Sequence, residues 1–324
     1  MGLKVAIVIV TYKRQELLSV LYDSLRALVV KPWAIVVVDN ENSQDTKALT
    51  EGLEGDLSGE CAVHYVPMAE NVGGAGGFSK GVETAYQLGA DWIWVMDDDV
   101  KVFPEALNKL YPWLEKGVAA GQLAIQVRRQ NFDGTDFYWQ YDFKNHLGIP
   151  NPIAPAGFEA GETYKKINTM CFEGGVFHRE LIRQIGFPDA RFFIYWDDTV
   201  YGYLASKVTQ PILINETLMA RTRALNHVNL GKIRKLNATS DMARYYIMRN
   251  RGYMAQYFKA QGDYKPLLFG LGTGLTFVKE VIRVLSLSEG RGHSLSELRR
   301  GMKDGKKLRK FTDWKSMKAL NPPE

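Results

Sequence analysis

The sequence predicts an α/β fold, a mostly parallel nucleotide-binding sheet flanked by helices, followed by a helical C-terminal region. Three observations carry this. Leu3 to Val10 is a β-branched run, Gln15 to Leu28 places apolar residues at 17, 18, 21, 25 and 28, and Ala34 to Val38 is a second apolar run. Apolar runs without alternation suit parallel strands buried on both faces, and two of them joined through an amphipathic helix make a βαβ unit.

The remaining elements follow in order. Ala62 to Val66 reads as a third strand, Gly77 to Leu88 as a helix and Asp91 to Met96 as a fourth strand, which completes an α/β nucleotide-binding half over the first hundred residues. Pro104 to Lys116 reads as a helix. From Asn131 to Lys165 aromatic, polar and proline residues mix, with Pro150 to Pro155 proline-rich, so loops and short strands are expected there. After Ser240 the residues Met242, Tyr245, Tyr246, Arg249, Tyr253 and Tyr257 recur at three- and four-residue steps, a helical signal. The expected division is residues 1–240, with halves 1–100 and 101–240, then a helical region 241–324 ending in a basic tail.

Composition narrows the function classes. With 324 residues, 46% hydrophobic and 24% charged, the chain is of ordinary globular type and disorder is excluded. The net charge is +5, yet Arg291 to Lys318 holds ten Lys or Arg against three acidic residues, a local +7 that leaves the rest near −2. That asymmetry argues against a nucleic-acid-binding core. A basic tail of this kind either touches an anionic surface such as a membrane or is a solvated helix, and both readings stand. For membrane contact the apolar strip would be Phe277, Val281, Val284 and Leu285. Two cysteines, Cys61 and Cys171, are too few for a disulfide framework or a Cys-based zinc site, so a reducing cytoplasm is expected. The N-terminus lacks the pattern of a signal peptide. The longest apolar run, Leu267 to Val278, is about 12 residues, short of the roughly 20 that span a bilayer. The sequons at Asn215 and Asn237 read as chance matches.

Polar clusters stand at the carboxyl ends of predicted parallel strands: Thr11 to Arg14, Asp39-Asn40 and Asp97-Asp98-Asp99. In an open α/β sheet that edge is where ligands bind. Three consecutive carboxylates are costly to hold unless a cation neutralises them, and hard divalent ions with phosphate co-ligands do this well. Asp97 and Asp99 share a direction if the backbone stays extended. An acidic turn or helix cap is the plainer alternative. Asn71-Val72-Gly73-Gly74-Ala75-Gly76-Gly77-Phe78 is a Gly-rich loop ahead of a predicted helix, where backbone could approach a phosphate or sugar. It lacks the GxGxxG spacing, and no GxxxxGK[ST] loop occurs, which removes the common dinucleotide and P-loop enzymes. Thr11-Tyr12-Lys13-Arg14 offers an aromatic face and two cations, suited to a nucleobase and a diphosphate, or simply a helix start. Farther on, Phe192-Phe193-Ile194-Tyr195-Trp196 precedes Asp197-Asp198, and an apolar surround would raise a carboxyl pKa toward that of a general base. His227 is one of five histidines and is as readily structural as a metal ligand.

In this order, Val8-Ile9-Val10-Thr11-Tyr12-Lys13-Arg14, Asp39-Asn40, Asn71 to Phe78, Trp94 to Asp99, Phe172-Glu173-Gly174-Gly175, Trp196-Asp197-Asp198 and His227 resemble family 2 inverting glycosyltransferases of the GT-A fold. Within them they are most similar to the bacterial galactofuranosyltransferases, over roughly residues 4 to 255. The resemblance implies a nucleotide diphosphate sugar donor, UDP-galactofuranose, with residues 1–100 holding it and 101–240 holding the acceptor. Thr11, Tyr12 and Arg14 would hold uracil and diphosphate, Asp39 the uridine, and Asn71, Gly73 and Gly74 the donor sugar side, with Asp98 a further donor contact. Asp97, Asp99 and His227 would bind a divalent metal, Mn²⁺ or Mg²⁺, that neutralises the leaving diphosphate. Asp198 would be the base that deprotonates the acceptor hydroxyl, with Phe172, Glu173, Gly174, Trp196 and Asp197 on the acceptor side.

The implied acceptor is a glycan, lipid-linked, in cell-surface polysaccharide synthesis such as that of O antigen, at the inner face of the cytoplasmic membrane. The chain departs from the polymerising galactofuranosyltransferases in lacking their extra domains and in having Phe172 to Gly175 where they carry paired tryptophans, so a processive polymerase is not expected. A rhamnosyltransferase using dTDP-rhamnose would share the fold and the Asp base. Outside the family, a sugar-1-phosphate nucleotidyltransferase would need a Gly-rich first loop, which Thr11 to Arg14 is not. A carbohydrate-binding protein stacking sugars on Trp139, Tyr141 and Trp196 would not call for acidic groups at two strand ends.

Overall fold

The computed structural model describes residues 2–137, 141–151, 157–224, 227–230, 233–237, 239–288 and 290–321, with the side chains of 227–230 and 233–237 not described. Trp139, most of the proline-rich stretch and the side chain of His227 therefore lie outside the described residues.

The first half is a run of strand and helix pairs: β1 (Val5–Thr11), α1 (Gln15–Arg26), β2 (Ala34–Asp39), α2 (Gln44–Asp56), β3 (Ala62–Pro67), α3 (Gly73–Leu88) and β4 (Trp92–Asp97). These four strands are parallel in the order β3-β2-β1-β4, and β1, β2 and most of β4 are fully buried, as unalternating apolar runs require. α2 is capped by Ser43, whose side chain accepts from Thr46 N–H, a cap that stabilises by about 1 kcal/mol.

The second half widens the sheet with β5 (Val100–Val102), α4 (Ala106–Ala120), β6 (Ala124–Gln130), the small hairpin β7 (Phe143–Lys144) and β8 (Ile149–Pro150), β9 (Tyr164–Lys166), β10 (Gly175–His178), α5 (Arg179–Ile185), α6 (Asp197–Val208) and β11 (Ile212–Arg221). The sheet continues β4-β10-β6-β11-β5, with β9 on β11. β10 is antiparallel to both β4 and β6, so the residues just before it, Phe172 to Gly174, reach the same sheet edge as the carboxyl end of β4. The irregular stretch between β6 and β10 thus holds short strands, as its composition predicts. The helix expected over Pro104 to Lys116 runs on to Ala120 and carries Pro112 within it.

Beyond β12 (His227–Leu230) and β13 (Ile233–Asn237) come α7 (Asp241–Arg249), α8 (Arg251–Ala260), α9 (Pro266–Leu287), α10 (Arg291–Lys310) and α11 (Met317–Leu320). Arg251 ties α8 and α9 to the small hairpin: its guanidinium is buried and donates to the carbonyls of Leu147 and Gly148 and to Thr273.

The Gly-rich stretch corrects the sequence reading. The helix begins at Gly73, four residues earlier than periodicity alone suggests, so the glycines form its first turns. Packing explains why. A Cβ on Gly77 would lie 2.4 Å from Val10 Cγ1, one on Gly81 2.3 Å from Val8 Cγ1, and one on Gly73 2.1 Å from the carbonyl oxygen of Phe193. Each glycine costs a helix about 1 kcal/mol against alanine. That cost is offset by the close seat of α3 on β1 and β2. Gly74 alone among the residues expected near the donor has open space where a Cβ would go.

Candidate active site

β1 ends in Thr11, and the turn into α1 places Lys13 in the left-handed region with φ 56°. Thr11 is buried and its hydroxyl donates to Asp98 Oδ2 at 2.7 Å, while Arg14 donates to Asp98 Oδ1 at 3.0 Å. Both Asp98 oxygens are therefore engaged by the first strand and turn. Tyr12 is exposed, with the Lys13 ammonium 5.3 Å from its ring centroid.

Asp99 sits between two arginines, 2.8 Å from Arg223 and 3.5 Å from Arg14. Asp97 ends β4 with Asp99, Glu173 and Asp98 around it, and burial together with these like charges holds its carboxyl well above the usual carboxylate range. Asp98 is raised as well, chiefly by burial, although Arg14 and Thr11 pull the other way. Asp98 is held by Thr11 and Arg14 and Asp99 by Arg223 and Arg14, so among the described residues Asp97 is the carboxylate of the three without an ion-pair partner. Carboxylate oxygens are the hard donors a divalent cation takes, and one held by Asp97 and Asp99 would have to replace an arginine at Asp99. Among the described residues no group of three His, Cys, Asp or Glu forms a ready metal site, and the side chain of His227 lies outside them.

Asp39, expected as a uridine contact, also organises the loop that follows β2. It is fully buried, and its carboxylate accepts from the Glu41 and Ser43 N–H groups and from the Tyr65 hydroxyl, which fixes the loop after β2. Asn71 accepts from Gly73 N–H and so starts α3, while Asn40 donates to Gly73 O.

Three residues expected on the acceptor side have partners within the fold. Phe172 is buried in an aromatic cluster, 4.8 Å from Phe78 and 5.7 Å from Tyr201 between ring centroids. Glu173 is buried and clamped by Arg221 through two bonds, 2.7 and 2.6 Å, and by Arg129 at 3.0 Å. The two guanidinium groups also lie over one ring, that of Phe137, at 4.0 and 4.1 Å. This pairing holds the Glu173 carboxyl below its ordinary value despite burial. Gly174 has φ 98° and hydrogen-bonds Val95 and Val127 through its backbone, bridging β4 and β6.

Asp197 and Asp198 form the first turn of α6, where the helix N-terminus favours negative charge. Three non-glycine residues just ahead, Phe193, Tyr195 and Trp196, have φ of 64°, 68° and 71°. Such conformations cost about 1–3 kcal/mol each and persist only when surroundings enforce them. The enforcement comes from the C-terminal helices. Asn250 donates to the carbonyls of Phe192, Ile194 and Tyr195 at 2.8, 2.8 and 3.0 Å, and Arg249 donates to that of Arg191 at 2.8 Å. Trp196 donates its indole N–H to Ile247 O at 2.9 Å, which ties this turn to α7.

Asp197 and Asp198 are both part-buried residues. Asp198 Oδ1 accepts from the Thr199 N–H and hydroxyl. Desolvation raises both pKa values, with repulsion from Asp198 adding to the rise at Asp197, the higher of the two. Arg129, which pairs with Glu173, is close enough to lower Asp198, and Glu173 is close enough to raise Asp97. The segment 169–174 links the two acidic elements: the Gly174 N–H bonds Val95 O on β4, while the Thr169 hydroxyl donates to Thr199 O at 3.0 Å and Phe172 lies 5.7 Å from Tyr201 on α6. Arg129, Arg221, Arg223, Arg249 and Asn250 escaped the sequence reading. Arg221 and Arg223 carry a readable signal, alternate cations at the end of a strand, whereas Asn250 carries none.

Comparison with known proteins places this geometry. The profile of "Glycosyl transferase family 2" matches residues 6–186, more than half of the chain. The galactofuranosyltransferase GlfT1 of Mycolicibacterium smegmatis is 25% identical over 267 residues, covering 77% of this chain and 82% of that protein. The GlfT1 of Mycobacterium tuberculosis is 28% identical over 199 residues, covering 59% of this chain and 60% of its own length. Among solved structures, S. aureus TarS superposes with TM-score 0.56 at 15% identity, covering 94% of this chain and 49% of TarS. A mannosyltransferase from Pyrobaculum calidifontis, solved with GDP-Man and Mn²⁺, gives 0.50 at 16% identity, covering 95% and 85%.

Proposed function

The chain belongs to glycosyl transferase family 2, as a hexosyltransferase of GT-A fold, and from that premise we propose that it transfers galactofuranose from UDP-galactofuranose to a glycan acceptor, inverting the anomeric carbon. The observation that carries the proposal is that residues 169–174 tie the strand ending in Asp97 to the helix starting with Asp197-Asp198, through Gly174 N–H to Val95 O and the Thr169 hydroxyl to Thr199 O. Donor chemistry needs charge control at the diphosphate, and acceptor chemistry needs a base on the other side. The likeness to two galactofuranosyltransferases supports the choice of sugar.

In this reading Tyr12 stacks on the nucleobase, Arg14 meets the diphosphate, and Asn71, Gly73 and Gly74 line the donor sugar, with Gly74 the position where backbone can come closest. Asp98 orients Thr11 and Arg14. Asp97 and Asp99, with His227, hold Mn²⁺ or Mg²⁺. That ion supplies neutralisation of the leaving diphosphate. Asp198 takes the proton of the acceptor hydroxyl as it attacks in line, and Asp197, more readily protonated, donates a hydrogen bond to a sugar hydroxyl. Residues 1–240 form the catalytic unit in this proposal, and 241–324 support it. The acceptor is a lipid-linked glycan of cell-surface polysaccharide synthesis, met at the inner face of the cytoplasmic membrane.

A donor screen tests the proposal: purified protein with Mn²⁺ is offered UDP-galactofuranose, UDP-galactopyranose and dTDP-rhamnose, and hydrolysis and transfer are followed. Turnover of UDP-galactofuranose alone is expected. Preference for dTDP-rhamnose would overturn the donor assignment.

A further inference from the structure

α9 exposes an apolar stripe that nothing among the described residues covers. Leu268, Leu271, Leu275, Val278, Ile282 and Leu285 recur at alternating steps of three and four residues, each between 43% and 56% exposed, over a helix of 22 residues. The opposite face, Phe269, Gly272, Thr276, Glu280 and Val284, is buried against the rest of the protein. The strip suggested by the sequence is mostly on the inner side: Val284 is fully buried, and Phe277 and Val281 pack on Ile247, Met248 and Leu298. Only Leu285 belongs to the outer face. Monomeric proteins rarely leave so continuous an apolar surface in water.

The helix beside it has the complementary feature. α10 packs on α7, α8 and α9 through Ser294, Leu298, Gly301 and Gly305, and turns the stripe Arg299, Lys303, Lys306 and Lys310 outward. Among the described residues none of these four has a carboxylate within ion-pair distance. The acidic groups of α9 and α10 are all spoken for, Glu280 by Arg283, Glu297 by Arg300 and Asp304 by Lys307. An apolar stripe and an unopposed cationic stripe therefore stand on adjacent helices.

The geometry points to an anionic lipid bilayer as the partner, with α9 lying in the interface on its Leu268 to Leu285 face and α10 meeting the headgroups. Charge decides the occupant. A second copy of the chain would bring a second cationic α10 with no free carboxylate on it to meet the first, whereas a bilayer offers acyl chains to the apolar stripe and acidic headgroups to the cationic one. Among the described residues no helix is long and apolar enough to cross a membrane, and α9 has only one apolar face open, which suits lying on the surface. This deepens the membrane placement of the proposed function but is carried by separate residues.

The test is co-sedimentation of the full chain with vesicles of phosphatidylcholine alone and of phosphatidylcholine containing phosphatidylglycerol. Binding to the anionic vesicles, weakened by salt, is expected. L271E/V278E should reduce it at least ten-fold, and K303E/K306E should abolish the preference for anionic lipid, while the circular dichroism melt and UDP binding stay unchanged. Absence of wild-type binding to anionic vesicles, or full binding by L271E/V278E, would overturn the proposal. So would a stable dimer in light scattering that L271E/V278E splits, since a second copy would then own the face. None of these readouts uses a sugar donor, so the membrane proposal and the transferase proposal can fail separately.

Discussion

Gly73 and Phe193 touch backbone to backbone: the Phe193 carbonyl oxygen lies where a Cβ on Gly73 would come within 2.1 Å, and the same oxygen accepts from Ala75 N–H at 3.0 Å. The first turn of α3, on the donor side, is thereby bolted to the turn that aims Asp197 and Asp198. A displacement of either is transmitted to the other, because backbone has no rotamer with which to yield.

Gly73→Ala should accordingly be among the most damaging single-methyl changes in the chain. It adds a side chain at φ 72° and drives it into backbone, and a loss of about 3 kcal/mol or more in stability is expected. Thermal melting reads this directly. Gly74→Ala makes the contrast, since its Cβ enters open space: the fold should be unaffected while the apparent affinity for the sugar donor falls. Equal donor affinity in wild type and Gly74→Ala would remove Gly74 from the donor site.

These two glycines show what the sequence could and could not tell. Strands β1, β2 and β4 and the carboxylates at their ends were legible, because buried parallel strands write unbroken apolar runs and the edge where they end is fixed by topology. The start of α3 was not, because glycine reads as a loop when its packing partner, Phe193, is far away in sequence. The partners of Phe172 and Glu173 are hidden for the same reason: a motif gives residue order, and burial by Tyr201, Arg129 and Arg221 is a property of the assembled sheet. Asp197 and Asp198 stand out in the sequence as carboxylates after an aromatic run, but the turn that starts their helix is held by Asn250 and Arg249, which no local pattern reveals.

Asp198→Asn should lower kcat by about 10²–10⁴ while leaving UDP binding nearly unchanged, since a base acts on the acceptor hydroxyl and not on the nucleotide. In the wild type kcat/KM should rise with pH through about 6, as Asp198 loses its proton. The linkage sign follows from the same shift. A carboxyl raised in the folded state stabilises most below its unfolded value and loses that contribution as pH climbs through the folded one, so Asp198→Asn should melt slightly higher than wild type at neutral pH. A lower melting temperature with intact turnover would point to a structural Asp198.

Metal dependence should reside in Asp97 and Asp99. Asp99→Ala is expected to weaken Mn²⁺-dependent UDP binding at least ten-fold, measured by calorimetry with and without chelator. Because the Asp97 carboxyl is raised by burial and by Asp99, Glu173 and Asp98, a cation has to displace its proton, so apparent Mn²⁺ affinity should strengthen as pH rises. Affinity flat with pH would exclude Asp97 from the ligand set.

Asn250 offers the sharpest separation of structure from chemistry. It stands between α7 and α8, buried, touching none of the carboxylates, yet its amide donates three bonds to the turn whose Phe193, Tyr195 and Trp196 are held in left-handed conformations. Removing those donors lets the turn relax toward ordinary backbone, and relaxation would swing the start of α6 away from its present direction. Asn250→Asp is the informative change, because it keeps the volume and removes the donating amide. The expected result is a kcat loss of about ten-fold or more, with affinity for UDP within a factor of two of wild type, since the nucleotide contacts on β1 and β4 are not attached to this turn and the α3 contacts that are attached face the sugar, which UDP lacks. If UDP affinity and kcat fall together in a protein that still melts cooperatively, the turn is a general support of the fold, and the role given to Asn250 in aiming Asp198 is lost.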